Sequence, residues 1–228
     1  MRRRVVVVGA AGAVAAAAAT WWLWWVPAWR PPLQEGERYG IDVSSHQGRV
    51  DWARVAADGI EFAYLKASEG GDFVDERFAE NWEGAAAAGL DRGAYHFFTL
   101  CTAGDVQARH FLAVAPPEEG ALPPAVDLEL AGNCGARPPA VAVRAELDRF
   151  LSLVETAWGQ EIVLYVGEDF EERYPGRDRL GRPLWLRRFL VRPDGDWWIW
   201  QLHGRARVDG VEGGVDLDVM RGTARGSG

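Results

Sequence analysis

Short apolar runs alternate with longer stretches of helical periodicity from residue 39 onward in this 228-residue chain. Runs of four to eight aliphatic, aromatic and β-branched residues are typical of buried strands, and apolar residues three and four apart are typical of amphipathic helices. The eight predicted strands are Tyr39–Ser44, Phe62–Ala67, Gly93–Phe98, Ala125–Leu130, Glu161–Val166, Leu184–Arg188, Trp198–Leu202 and Val215–Met220. The predicted helices are Asp51–Ala57, Asp75–Ala88, Ala103–Ala115, Pro139–Trp158 and Glu168–Tyr174.

This alternation predicts an α/β fold with a parallel sheet, because parallel strands need a long crossover that is usually a helix. Helices connect the first six predicted strands, and the last two connections are too short for a crossover helix. Eight strands with this pattern favour a modified TIM-like (β/α)5(β)3 barrel. An open doubly wound sheet is the alternative architecture.

The N-terminus has a different pattern, with Arg2–Arg4 followed by an uncharged apolar run from Val5 to Val26. A run of 22 residues is long enough to cross a bilayer as a helix. Basic residues before it predict a cytoplasmic N-terminus and an exported body. The segment is either a signal anchor, with four tryptophans at its outer boundary, or a signal peptide cleaved near Ala17–Ala19.

The chain therefore divides into four predicted parts. Residues 1–26 are the signal anchor or signal peptide, 27–38 an extended linker, 39–221 the barrel, and 222–228 a disordered tail. The protein is expected on the outer face of the cytoplasmic membrane if the anchor is retained, and secreted if it is cleaved.

The charge distribution narrows the choice of partners. The net charge is -8, but residues 1–38 carry +3, which leaves -11 for the rest. An acidic body excludes nucleic acid as the main partner, because phosphate binding needs a cationic face. Four histidines without metal-binding spacing and only two cysteines predict no metal and no cofactor. A monomer is expected.

Four carboxylates stand at the ends of apolar runs: Asp42, Asp127, Glu129 and Asp216. An ionised carboxylate is costly inside a fold unless it is paired or hydrogen-bonded, and barrel active sites lie where parallel strands end. Side-chain alternation places Asp127 and Glu129 on one face, about 7 Å apart. The first and last strands of a barrel adjoin, which brings Asp42 near Asp216.

Paired carboxyls around one bond are the usual equipment for cleaving a glycosidic linkage. A neighbouring charge and partial burial would raise the pKa of Glu129, as a proton donor requires. The alternative for Asp127 and Glu129 is a pair of solvated loop acids. Asp42 and Asp216 could instead bind backbone amides at the end of the barrel.

Further candidates lie close to the predicted ends of strands. Lys66 is the only lysine in the chain, and we expect it to pair with inward acids near Glu69; chance survival or an outward position is the alternative. Aromatic faces stack on sugar rings, so a second group is expected to line a glycan groove. That group is Tyr95, His96, Tyr165, Trp185 and Trp200, with core packing as the alternative.

Cys101 and Cys134 each follow the end of a strand, the third and the fourth. Adjacent barrel strands put those two loops side by side, and export makes a disulfide between them plausible. The disulfide would close a loop of about 33 residues, which stabilises the fold by about 3 to 4 kcal/mol in the chain-entropy model. The alternative is two unrelated buried thiols.

The run Gly40–Gly48, with Asp51 and Trp52 after it, resembles the opening of glycoside hydrolase family 25, the Chalaropsis-type lysozymes. The resemblance covers about residues 39–221. Its other pieces, in the family's order, are Phe62–Gly70, Gly93–Phe97, Ala125–Glu129, Leu164–Tyr165, Leu184–Trp185, Trp200–Gln201 and Val215–Asp216.

This resemblance implies hydrolysis of the β-1,4 bond between N-acetylmuramic acid and N-acetylglucosamine in peptidoglycan. It implies that Glu129 is the general acid/base and that Asp127 assists the substrate acetamido group, which acts as internal nucleophile. Asp42 and Asp216 would complete an acidic floor, and Gln201 would contact substrate. Two alternatives are a non-catalytic glycan-binding or structural cell-envelope barrel, and a glycosidase acting on chitin-like polymers.

Two departures from the family pattern stand out. Asp218 occupies a position where the family more often has Asn, which would add negative charge beyond the site. The stretch Leu186–Phe189 replaces a sequence closer to Ala-Arg-Tyr, so a sugar contact from a tyrosine would be missing.

Overall fold

A computed structural model of the protein describes residues 18–222, and it contains six helices and nine strands in that range. The helices are α1 (18–28), α2 (Trp52–Ala57), α3 (Phe78–Ala87), α4 (Gly104–Val114), α5 (Ala140–Trp158) and α6 (Glu168–Arg173). The strands are β1 (Glu37–Val43), β2 (Phe62–Glu69), β3 (Phe73–Val74), β4 (Asp91–Phe97), β5 (Ala125–Leu128), β6 (Val163–Val166), β7 (Leu184–Arg187), β8 (Ile199–Ala206) and β9 (Val215–Arg221). Short 3-10 helices lie at Ser45–Gln47 and Arg177–Leu180.

Eight of these strands close into a barrel in the order β1-β2-β4-β5-β6-β7-β8-β9, with β9 pairing back to β1. Helices follow the first five barrel strands and none of the last three, so the predicted (β/α)5(β)3 barrel is confirmed and the open sheet is excluded. The eight predicted strands and five predicted helices of the body are all present, with ends shifted by a few residues. Strand β3 was not predicted from the sequence; it has two residues and pairs antiparallel with the end of β2.

The last strand departs from the parallel sheet that the sequence predicts. The pairings between neighbouring barrel strands from β1 through β8 are parallel, but β9 runs antiparallel to both β8 and β1. Residues 207–214 connect β8 to β9, and this loop is too short for the crossover that parallel neighbours require. As a result, it is the amino end of β9 that lies at the active-site end of the barrel.

Two apolar layers stabilise the barrel. One fills the barrel itself and is built from inward side chains such as Phe62, Tyr64, Trp185 and Met220. The other lies between the strands and the helices and includes Ile41, Leu65 and Phe150. Successive residues of β2 from Phe62 to Leu65 alternate between the two layers, because side chains in a strand alternate between its faces.

Helix α5 shows how the sequence sets one helical element. Its buried residues recur three and four positions apart, so they form one apolar stripe against the sheet. They are Val143, Leu147, Phe150, Leu151, Val154 and Trp158. The helix ends where Gly159 adopts a left-handed conformation with φ 65°, which glycine tolerates without steric cost.

The predicted anchor lies mostly outside the described part of the chain, since residues 1–17 and 223–228 are not described. Between residues 18 and 222, no helix combines the length and apolar character needed to cross a bilayer. Helix α1 and the segment after it pack on the barrel: Trp22 contacts Phe189, and Trp24 lies under Arg207.

The segment predicted as an extended linker also contacts the barrel. Arg30 pairs with Asp58, and the hydroxyl of Tyr39 donates to the Pro31 carbonyl. Strand β1 already begins at Glu37, within the predicted linker. Between α1 and β1 the chain is therefore held against the surface of the barrel.

The predicted disulfide between Cys101 and Cys134 is confirmed. It joins the loop after β4 to the loop after β5, and these strands are parallel neighbours. Both loops lie at the end of the barrel where β4 and β5 terminate.

Candidate active site

A cavity of about 300 Å³ opens at the carboxyl ends of the parallel strands. Its lining is dominated by carboxylates, with aromatic rings and one arginine. The lining residues are Asp42, Tyr95, Ala125, Asp127, Glu129, Tyr165, Trp185, Arg187, Gln201, Gly204 and Asp216. All four carboxylates singled out in the sequence therefore meet in one cavity.

Asp127 and Glu129 form one side of this cavity, which we call the β5 wall. Asp127 is the third residue of β5, and Glu129 follows the strand's last residue, Leu128. Leu128 packs in the outer apolar layer, so the two acids point inward as the alternation predicts. The hydroxyl of Tyr165 on β6 lies 3.2 Å from Glu129 Oε1.

The electrostatics of the β5 wall favour a protonated group. Burial raises the pKa of Glu129, while the Tyr165 hydrogen bond and the charge of Arg187 lower it. Burial, and then the charges of Glu129 and Asp42, hold the pKa of Asp127 well above its usual range. Glu129 is only partly buried, so it remains accessible for proton exchange.

Asp42 and Asp216 form the opposite side, the β1–β9 wall. They are directly opposite one another in the antiparallel β1–β9 ladder. Asp42 is held in place by Gln201, whose Nε2 donates to Oδ2 at 2.8 Å. Tyr165 connects the two walls, because its hydroxyl also lies 3.1 Å from Gln201 Oε1.

Burial also dominates the ionisation of the β1–β9 wall. It raises the pKa of Asp216 to about 6, although the nearby charge of Arg187 lowers it. Burial and the charge of Asp216 raise the pKa of Asp42, while hydrogen bonds from Gln201 and Asp218 lower it. The four carboxyls therefore cannot all carry full charge at mildly acidic pH.

Arg187 is the cationic residue of the cavity, and the sequence did not single it out as a site residue. It is the last residue of β7, and its charge acts on Glu129 and Asp216 from one position. It stood in the stretch noted for its departure from the family pattern. An arginine at the carboxyl end of a barrel strand was the signal that could have identified it.

The structure corrects the expected position of Asp218. It does not add charge beyond the site, since it is fully buried within the barrel, one inward position deeper than Asp216. Its Oδ1 accepts a hydrogen bond of 2.9 Å from Trp185 Nε1. The ring of Trp185 therefore faces the cavity, while its Nε1 donates a hydrogen bond to Asp218 inside the barrel.

Most of the other predicted contacts lie at or beside the cavity. Tyr95, Tyr165, Trp185 and Gln201 line it. Lys66 and Glu69 do not line it but pair with each other at 2.8 Å. The charge of Lys66 also lowers the pKa of Asp127, as expected for a lysine paired with inward acids.

His96 is not brought into the cavity. It is fully buried in the outer layer, where its ring stacks on Phe150 and contacts Ser68 and Gln107 through its two nitrogens. Neighbouring Tyr95 takes the inward position on β4, and alternation turns His96 toward helices α4 and α5. Burial lowers the pKa of His96 to about 3, so it is neutral in the folded protein.

Two residues that the sequence did not suggest support Glu129. The side-chain amide of Asn133 donates to the carbonyls of Phe98 and Glu129, which fixes the loop after β5. Gly167 packs so closely that a Cβ there would lie 3.1 Å from Glu129 Cγ. A methyl group there would press on the Glu129 side chain and would lie 2.8 Å from Asp169 Oδ1.

Known proteins share both the sequence and this architecture. The family model of glycosyl hydrolases family 25 matches residues 41–211. The chain belongs to this family. As a member of glycosyl hydrolases family 25, the protein is a glycoside hydrolase, which fits a cavity built around paired carboxylates.

Individual relatives agree with the family assignment. The YegX protein of Escherichia coli O157:H7 is 38% identical over 194 residues, which are 81% of this chain and 70% of YegX. Lysozyme M1 of Streptomyces globisporus is 30% identical over 200 residues, covering 81% of this chain and 68% of the lysozyme. A family 25 glycosyl hydrolase structure from Bacillus anthracis superposes with a TM-score of 0.76 at 30% identity, over 86% of this chain and 93% of that one.

Proposed function

We propose that the protein is a peptidoglycan muramidase that hydrolyses the β-1,4 bond between N-acetylmuramic acid and N-acetylglucosamine. The observation that carries the proposal is the convergence of Asp42, Asp127, Glu129 and Asp216 on one cavity at the end of the barrel. Relatives named lysozyme and N,O-diacetylmuramidase support this choice of substrate.

Glu129 is the general acid and base of this proposal. Its carboxyl is partly exposed, and burial raises its pKa, so it holds a proton at mildly acidic pH and can deliver it to the glycosidic oxygen. The Tyr165 hydroxyl at 3.2 Å fixes the direction of the carboxyl. After the aglycone leaves, the same carboxylate accepts a proton from the attacking water.

Asp127 assists from the same wall. We assign it the task of orienting the substrate acetamido group, whose carbonyl oxygen attacks the anomeric carbon. A charged or hydrogen-bonding oxygen next to the amide nitrogen would stabilise the positive charge that develops there. Oδ1 of Asp127 is buried and has no hydrogen-bond partner among residues 18–222, so it is free to accept that bond.

Asp42, Asp216 and Arg187 form the opposite side of the sugar site. Arg187 offsets part of their negative charge, and its guanidinium can donate to a hydroxyl or carboxylate of the glycan. Tyr95 and Trp185 supply ring faces for sugar packing.

We further propose that the barrel is exported and held at the outer face of the cytoplasmic membrane by the apolar run from Val5 to Val26. The basic residues Arg2–Arg4 ahead of an uncharged apolar run support this arrangement. Mass spectrometry of the protein from its native host tests it. A mature chain that begins near Thr20 or Trp21 in the culture fluid would show a secreted enzyme instead.

The enzymatic proposal is tested by incubating the purified protein with peptidoglycan and identifying the new reducing ends. Muramidase action creates muramic acid reducing ends, whereas glucosaminidase action creates glucosamine ends. Chitin oligosaccharides in a parallel reaction test the chitin alternative. Binding to peptidoglycan without any new reducing ends would leave only a glycan-binding barrel.

The variant Glu129→Gln separates binding from chemistry. The amide is nearly isosteric but cannot deliver a proton, so turnover should fall about 1,000-fold while peptidoglycan binding remains. Glu161→Gln is the matched control, because Glu161 is exposed at the opposite end of the barrel. Turnover close to that of the unmodified protein in Glu129→Gln would remove Glu129 from the mechanism.

A further inference from the structure

A fifth carboxyl, that of Asp218, lies in the barrel directly behind the cavity and is fully buried. One of its oxygens, Oδ1, accepts the hydrogen bond from Trp185. The other, Oδ2, is buried without any donor among residues 18–222. A buried carboxylate oxygen without a donor is costly, so this group requires an explanation.

The surroundings of Asp218 are set by its position on β9. It stands opposite Gly40 on β1 and opposite Gln201 on β8. Gly40 carries no side chain that could donate a hydrogen bond to Asp218. A Cβ at this position would lie 2.3 Å from the ring of Phe62. Asp42 stands two residues beyond Gly40 on the same face of β1, and its carboxyl is in hydrogen-bonding contact with Asp218.

The charges that act on Asp218 are negative. Asp42 faces it from β1 and Asp216 lies two positions away on β9. From β2, the phenol of Tyr64 also faces Asp218, and burial and this carboxyl both raise its pKa, so Tyr64 is neutral. Arg187 acts on Asp216 rather than on Asp218.

Two carboxyl groups can hydrogen-bond to each other only if one of them carries a proton. We propose that Asp218 is protonated in the folded protein and donates this proton as a hydrogen bond to Asp42, which stays the anion. Asp218 is then a positioning residue: together with Gln201 it fixes the Asp42 carboxylate at the cavity wall. Its effect on turnover rests on the proposed function, whereas its protonation does not.

The direction of the pKa shifts agrees with this assignment of the proton. Burial, followed by the charges of Asp42 and Asp216, raises the pKa of Asp218 well above its usual range. The hydrogen bond between the two groups raises the pKa of Asp218 further and lowers the pKa of Asp42. The proton therefore belongs to the more deeply buried group.

The first test counts protons. Between the pKa of an unfolded aspartate and the raised pKa of folded Asp218, unfolding releases the Asp218 proton, so stability falls as pH rises. Asp218→Asn keeps the same hydrogen-bond pattern but has no proton to release. Urea unfolding at a series of pH values should show about one fewer proton released in Asp218→Asn, and no change in Asp194→Asn, an exposed control.

The second test observes the proton directly. An infrared difference spectrum between the unmodified protein and Asp218→Asn should contain the C=O band of a protonated carboxylic acid at neutral pH. An unchanged proton count together with a carboxylate band in the difference spectrum would show that Asp218 is ionised, and the proposal would be overturned. Neither measurement requires a substrate, so the result stands even if muramidase activity is absent.

The third test concerns positioning. Asp218→Leu keeps the branching and the number of side-chain heavy atoms but donates no hydrogen bond to Asp42 and accepts none from Trp185. Its kcat on peptidoglycan should fall at least ten-fold with little change in KM. Asp218→Asn should rescue most of that loss, because its amide donates where the protonated carboxyl did. Equal losses of kcat in the two variants would contradict donation to Asp42.

Discussion

The two walls of the cavity carry the same chemical groups but are built in different ways. In the β5 wall, Asp127 and Glu129 come from one strand and are two residues apart. In the β1–β9 wall, Asp42 and Asp216 come from strands near opposite ends of the chain and meet only in an antiparallel ladder. One wall is a local product of side-chain alternation, and the other exists only because the barrel closes.

The walls also differ in their partners. Glu129 and Asp42 are both partly exposed, but Glu129 is contacted by Tyr165, whereas Asp42 is held by Gln201. A proton donor must exchange with solvent, which suits Glu129 on the β5 wall. A fixed charge needs rigid partners, which suits the β1–β9 wall. This division of roles can be tested with matched substitutions on both sides.

After Glu129→Gln, the largest effect is expected from Asp127→Asn. Removing this charge should reduce turnover on peptidoglycan about 100- to 1,000-fold, because the developing charge on the substrate loses its stabilisation. Steady-state kinetics measure the loss, and Asp194→Asn provides an exposed control with the same chemical change. Turnover within two-fold of the unmodified protein would remove Asp127 from the catalytic wall.

The same change at Asp216 should act mainly on stability. Its pKa of about 6 lies above 3.8, the ordinary pKa of an aspartate, so the folded form keeps a proton that the unfolded form loses as pH rises. The stability contribution of this proton is complete below about pH 4 and is lost as pH rises through 6. Asp216→Asn should therefore stabilise the fold by about 3 kcal/mol at pH 7, and much less at pH 4.

Urea unfolding at both pH values measures this difference, with Asp194→Asn again as control. If Asp216→Asn gained the same stability at pH 4 as at pH 7, the raised pKa would not be its cause. The raised pKa of Asp216 would then not explain why Asp216→Asn acts on stability while Asp127→Asn acts on turnover.

A smaller effect is expected where the two walls meet. Tyr165→Phe removes the hydroxyl that contacts both Glu129 and Gln201, and turnover should fall about ten-fold. Because the hydrogen bond lowers the pKa of Glu129, its loss should move the alkaline limb of the pH–rate profile upward. Tyr174→Phe is the control, since its hydroxyl donates to the Pro138 carbonyl outside the cavity. An alkaline limb that stays in place would exclude the contact with Glu129.

The smallest effect is expected from adding a methyl group at the glycines that lie against the two walls. A Cβ at Gly167 would meet Glu129 Cγ at 3.1 Å, and a Cβ at Gly204 would meet Asp216 Oδ1 at 2.8 Å. Gly167→Ala should lower kcat by about three-fold through displacement of the proton donor. Gly204→Ala should change kcat less, and Gly135→Ala, which meets nothing within 4 Å, should change nothing. A greater loss of kcat in Gly204→Ala than in Gly167→Ala would contradict the assignment of the proton donor to the β5 wall.

Local hydrophobic periodicity predicted most of the fold and the arrangement of the β5 wall of the site. The inward direction of Asp127 and Glu129, the eight barrel strands and the five helices of the body all follow from periodicity. The position of His96 did not, since being near a strand end does not say which face a residue takes. Arg187 was missed although it stands at the carboxyl end of a barrel strand, and Asn133 was missed because an amide in a loop carries no distinctive pattern.

The sequence by itself determined the chemistry available to this protein: the carboxylates, the aromatic rings and the alternation that turns Asp127 and Glu129 to one face. The tertiary structure alone decided how the chain ends meet. Asp216 reaches the cavity because β9 is antiparallel, and Asp218 lies deeper for the same reason. The physical cause is long-range: strand direction in a closing barrel is set by pairing with both neighbours, and no local window of sequence contains both.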